Sequence, residues 1–108
     1  MATATYVQKG DNIDYTATAS IGYMEVVPLT ARIGIALEAM EKGDTGTVTL
    51  TGVFKLPAAA GALTVGEEVY WDTKAGNVTG TKGDTTVFAG YTVEEKTESG
   101  ATVNVRIG

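Results

Sequence analysis

The chain has 108 residues with no Cys and no His, and eight basic residues against thirteen acidic ones give a net charge of −5. That inventory excludes disulfides, thiolate nucleophiles, cysteine or imidazole zinc sites, and any Ser–His–Asp or Cys–His mechanism built within one chain. It also disfavours nucleic-acid binding, whose affinity comes from Lys and Arg set against phosphates; the only arginines are Arg32 and Arg106, and there is no basic run.

Apolar residues at 44% and charged residues at 19% describe one globular domain. Fourteen Gly beside two Pro, with abundant Thr and Val, predict short strands joined by tight turns. Neither the opening MATATYVQKGDNID nor any later stretch has the apolar run of a secretory leader or a membrane span. The expectation is a soluble protein, not bound to membrane, made in the cytoplasm.

Residues 1–8 read as a flexible N-terminal arm, short, Thr-rich and uncharged, and residues 9–108 as a single β domain. YVQ within the arm is a weak strand candidate. In IDYTATAS, Ile13, Tyr15, Ala17 and Ala19 alternate with Asp14, Thr16, Thr18 and Ser20, the period of a half-buried strand. EVVPL is a second weak strand, and Pro28 marks an edge or a strand end. In ARIGIALEAMEKGD, Ile33, Ile35 and Leu37 alternate as in a strand, although Ile33, Leu37 and Met40 also fit a helix stopped by Gly43. Gly34 and the β-branched isoleucines favour the strand, followed by a turn through residues 40–46.

TVTLTGVF places Val48, Leu50 and Phe54 on one face, with Gly52 as a bulge or close backbone approach. LPAAAGAL has room for at most one short helical turn, begun by Pro57 and ended by Gly61. In LTVGEEVYWD, Gly66 turns the chain, Val69 and the sole Trp, Trp71, point inward, and Tyr70 and Asp72 point outward. TKAGN supplies a hairpin loop before Val78 resumes pairing. VFAGYTV puts Val87, Ala89, Tyr91 and Val93 on one face, and ATVNVRIG turns Val103, Val105 and Ile107 inward. The fold class is all-β: a small antiparallel β-barrel or β-sandwich, with strand order open because turn signals do not determine long-range pairing.

Lys-Gly-Asp occurs at residues 9–11, 42–44 and 82–84. An adhesion reading is disfavoured by three copies at three turn positions, the last two before Thr/Val segments, which read as one turn chemistry: Gly takes positive φ and Asp bonds its own backbone. The carboxylates do not form a catalytic pair, because adjacent Glu67 and Glu68, like Glu94 and Glu95, point to opposite faces of a strand. No phosphate-binding loop, dinucleotide fingerprint or calcium loop is present. A surface calcium or magnesium held by carboxylates is the one metal chemistry the inventory allows. No catalytic, cofactor or metal site is assigned.

Read in order, YVQKGDNI, IGIAL, GTVTLTGVFKLP, LTVGEEVYWD, NVTGT and TVNVRIG resemble a family of small phage and prophage head proteins, the capsid cement or decoration proteins. The resemblance runs from about Tyr6 to Ile107, and GVFKLP and VGEEVYWD are its most specific pieces; ASIGYMEVVPL departs from the pattern. Members have also been labelled RecA/RadA-like recombinases, which does not suit a chain without a phosphate-binding loop. The resemblance implies a structural, non-catalytic protein on the capsid exterior of the virion. Its implied partner is the major capsid protein, and its implied state a homo-oligomer, most readily a trimer. Capsid-contact candidates are Thr3, Thr5, Tyr6 and Gln8 in the arm, and Pro57, Ala58, Ala59 and Ala60 in the small apolar loop of residues 56–63. The alternative is another non-enzymatic virion part, such as a head-fibre base or a carbohydrate-binding decoration with coplanar exposed tyrosines.

Overall fold

Apolar–polar alternation over short segments yields nine strands among residues 2–7 and 10–108, which the structure, a computed structural model, describes. They are β1 (Asn12–Thr16), β2 (Val26–Pro28), β3 (Ile33–Ala36), β4 (Thr45–Thr49), β5 (Gly52–Pro57), β6 (Glu68–Asp72), β7 (Asn77–Thr79), β8 (Thr86–Thr92) and β9 (Thr102–Ile107). Two antiparallel sheets result, ordered β1-β4-β3-β2 and β5-β9-β8-β6-β7. The arrangement is sandwich-like. The five-stranded sheet curls until its edge strands approach at one point, an isolated parallel bridge between Ala58 and Val78, and no ladder closes a barrel.

All four residues of β3 are buried. Ile33 and Ile35 join Leu56, Val69, Trp71, Val103, Val105 and Ile107 in the larger core between the sheets. Ala36 faces the other way, into a smaller cluster with Ala17, Val27, Met40 and Val48. Gly34 shares that second face, where a Cβ would collide with the Val48 side chain. The expected inward sets at Val69/Trp71 and Val103/Val105/Ile107 are all buried. Pro28 sits at the end of edge strand β2, as its missing N–H requires.

Several expectations are corrected. TVTLTGVF is not one strand: the chain leaves the four-stranded sheet after Thr49 and enters the five-stranded one at Gly52, with φ +131°. Val48 therefore belongs to the smaller cluster and Phe54 packs on the larger. Asp11 holds this corner, its carbonyl accepting from Leu50 N (2.6 Å) and Thr49 Oγ1 (3.2 Å). The first strand stops at Thr16, because Ala17 instead exchanges backbone hydrogen bonds with Gly43 and Asp44; Ala17 is buried and Ala19 exposed. Leu37 lies past the end of β3 and is exposed, while Tyr6 and Val7 of YVQ belong to no strand.

The face assigned to VFAGYTV inverts midway. Val69 pairs with Gly90 but Tyr70 with Phe88, so Ala89 is an extra residue, a β-bulge. One inserted residue moves every later side chain to the opposite face. Val87 and Ala89 turn inward, but beyond the bulge Thr92 is buried and Tyr91 and Val93 are exposed. At Gly90 (φ +154°) a Cβ would run into the Arg106 carbonyl oxygen and lie 2.9 Å from its carbon and 3.1 Å from Ile107 Cα.

No helical turn forms in LPAAAGAL. Its N–H groups donate across the fold: Ala58 to Ala101 O (2.9 Å), Ala59 to Val78 O (2.8 Å), Gly61 to Glu98 O (3.0 Å) and Leu63 to Lys96 O (3.0 Å). Partners distant in the chain, on β7 and in residues 96–101, replace the local ones a helical turn would use.

Three turns share one device ahead of a strand. In residues 22–25, 41–44 and 64–67 the third residue has positive φ and the acidic fourth accepts a hydrogen bond from the first N–H: Glu25 from Gly22 (3.2 Å), Asp44 from Glu41 (3.0 Å), Glu67 from Thr64 (3.2 Å). Gly43 and Gly66 occupy the third position in two of them; Met24, at φ +64°, occupies it in the other. The Asp chemistry expected of Lys-Gly-Asp thus holds at Asp44. At residues 82–84 it does not, because the Thr86 hydroxyl closes that turn on Gly83.

Gly90→Ala is expected to cost about 3 kcal/mol in urea denaturation, since two central strands must separate to admit the methyl. Gly76→Ala, at φ +71° with open space around it, serves as control and should lose only about 1 kcal/mol. Met24→Gly should stabilise the fold by about 0.5–1 kcal/mol, raising Tm by about 4 °C in a thermal melt, because it relieves the positive φ of a side chain that is only partly covered.

Candidate docking surface

Residues 64–67 build one corner of this surface. Thr92, buried on β8, donates its hydroxyl to Thr64 O and accepts from Glu67 N (3.0 Å), while its carbonyl accepts from Gly66 N (2.8 Å). With the turn so tied, Glu67 Oε1 accepts from both Thr64 N (3.2 Å) and Thr64 Oγ1 (3.1 Å). Glu68 is exposed on the start of β6, so the two carboxylates diverge.

Lys96 builds the next corner. It is buried, 4% exposed, and its ammonium donates to Gly61 O (2.5 Å) and Thr97 O (3.0 Å). Paired carbonyls take the place of a counter-ion. Together with the backbone bonds from Ala58, Ala59, Gly61 and Leu63, this fastens the Ala-rich loop to β7 and to the segment before β9. Between that loop (residues 59–63) and residues 78–81 lies an open cavity of about 190 Å³, with Glu67 at its side.

The sequence-derived contact residues divide into two sets. Pro57 ends β5 and is exposed, Ala58 and Ala59 are half-buried, and Ala60 is exposed, so this set forms one rim. Thr3, Thr5 and Tyr6 are exposed and belong to no element, Tyr6 being 82% exposed; Gln8 lies outside the described residues. The sequence reading missed Glu67, Lys96 and Thr92. The acid after Gly in VGEE, matching KGD before another strand, was a usable signal for Glu67. Lys96 carried none, because EEKTES reads as solvated charge.

The other polar groups are structural. Hydrogen bonds from Ala75 N, then the Thr85 hydroxyl, then Lys74 N hold the Asp72 carboxyl below the ordinary aspartate range and shape the β6–β7 hairpin. Asn104 donates to Glu94 (2.6 Å). On the outer face of the five-stranded sheet Phe88 meets Tyr70 edge-to-face (5.9 Å, 72°) and Tyr91 likewise (5.8 Å, 79°), a self-packed cluster in which neither tyrosine lies coplanar with Phe88. Among the described residues no group of three or more acidic, His or Cys side chains could hold a metal ion, and no helix is long and apolar enough to cross a membrane.

The chain is an all-β scaffold with a rim fastened by Lys96 and backbone hydrogen bonds. The family model of phage cement proteins matches residues 7–107, and the chain belongs to that family. Its role is structural and associated with the phage capsid. A search of curated proteins finds no match. Among solved structures, the N base of the head fibre gp8.5 in bacteriophage phi29 is similar at 22% identity over 90% of this chain and 92% of that one, with a TM-score of 0.48.

Lys96→Met should lower stability by about 2 kcal/mol, because two carbonyls lose a charged donor. Hydrogen exchange should localise the change, with the Ala59 and Gly61 amides losing protection while Val105 on β9 keeps its own.

Proposed function

We propose that the protein docks on the exterior of an assembled phage head as a non-catalytic clamp. It contacts the major capsid protein through the rim of Pro57, Ala58, Ala59 and Ala60 and through the N-terminal arm carrying Thr3, Thr5, Tyr6 and Gln8. It acts as a homo-oligomer, a trimer over a symmetry axis, is synthesised in the host cytoplasm and ends in the virion. The family match over residues 7–107 is the observation that carries this reading.

Physical chemistry supports the division of labour. The rim is already fastened by Lys96 and four backbone bonds, so its docking costs little conformational entropy. The arm exposes Tyr6 and Val7, a strand-type sequence without a sheet, and would be ordered only by pairing with an edge on the shell. A protein that binds the expanded shell and not its precursor stabilises the expanded form by mass action, with no chemical step.

Co-sedimentation with expanded head shells lacking the protein tests the reading. Saturation at a fixed multiple set by icosahedral symmetry is expected, and absence of binding to mature shells would overturn it. Removing residues 2–7 should abolish binding without lowering Tm; undiminished binding would remove the arm from the interface.

A further inference from the structure

We propose that the cavity beside Glu67 receives a lysine or arginine side chain of the shell subunit, so that one charged knob sets the orientation of docking. The inference rests on the docking reading above and adds to it the chemistry of the contact.

The carboxylate is aimed. Its Oε1 is held by the Thr64 N–H and hydroxyl, and the backbone beneath it is held by Thr92. Among the described residues no donor reaches Oε2, which stands over Gly80: a Cβ added there would lie 2.9 Å from Oε2 and 3.0 Å from Leu63 Cδ2. A side chain at residue 80 would crowd the carboxylate out of this position. The lining contains neither Lys nor Arg, and the buried Lys96 ammonium behind Gly61 is taken up by the Gly61 and Thr97 carbonyls.

Size and chemistry select the occupant. About 190 Å³ is below the roughly 300–1,000 Å³ of small-molecule sites and suits a single side chain. Ala59 and Ala62 offer short apolar walls for an aliphatic stem, with Glu67 at the side for its charged head. A divalent cation would need several more oxygen ligands than one carboxylate supplies. On a chain of net charge −5, such a contact would also favour a basic patch on the partner and fix its register.

The test compares wild type with Glu67→Gln, whose amide oxygen can still accept from Thr64, in co-sedimentation with expanded shells at low and high NaCl. The variant should bind about tenfold more weakly at low salt and show a flatter salt dependence, at unchanged Tm. Gly80→Ala, which leaves the charge intact but displaces the carboxylate, should weaken binding in the same direction. Wild type that binds and saturates while Glu67→Gln binds equally well, with the same salt dependence, overturns this inference and leaves the docking reading standing. Wild type that does not sediment with shells overturns both. A Glu67→Gln variant that dissociates the oligomer in velocity sedimentation, with shell binding per copy unchanged, also overturns it, since the occupant would then be a second copy.

Discussion

β3 is the strand on which both hydrophobic clusters depend. Ile33 and Ile35 fill the space between the sheets, while Gly34 and Ala36 lie against Val48 on the opposite face. A four-residue strand without a polar side chain can do this because it has β4 on one side and β2 on the other to satisfy its backbone. Separating the sheets would uncover two isoleucines, each worth about 1.5–3 kcal/mol. The smaller cluster would loosen with them, since both share one backbone. The rim, with Glu67 and Lys96, hangs from the five-stranded sheet that β3 packs against.

Much of the sandwich was legible in the sequence, for a physical reason. Wherever a strand has one buried face and an uninterrupted register, its apolar residues alternate, as at Val103, Val105 and Ile107. The reading failed where a glycine changes the geometry without changing the pattern. Gly52 lets TVTLTGVF pass from one sheet to the other, and the bulge at Ala89 and Gly90 reverses the face of Tyr91 and Val93. Apolar spacing carries no record of an inserted residue, and a local helical signal at LPAAAGAL carries none of the carbonyls waiting on β7 and in residues 96–101.

The candidate surface was only half legible. Pro57, Ala58, Ala59 and Ala60 drew notice in the sequence because small apolar residues beside a Gly stand out. The groups that make their loop firm are polar and scattered through the chain, at Thr64, Glu67, Thr92 and Lys96. Each looks like ordinary surface until the fold brings them together. The same economy occupies the acidic side chains at turns with backbone N–H groups, as Glu25, Asp44, Glu67 and Asp72 show.

The single bridge between Ala58 and Val78 bears on a hazard of crowding. A curled sheet with two open edges, gathered at high density on a shell, invites strand-to-strand polymerisation between neighbours. Here the edges of β5 and β7 face one another at the bridge, β2 carries Pro28 on its rim, and β1 carries Asp14. Growth by ladder extension is thereby discouraged on three fronts. Copies brought close together would not template one another through these edges.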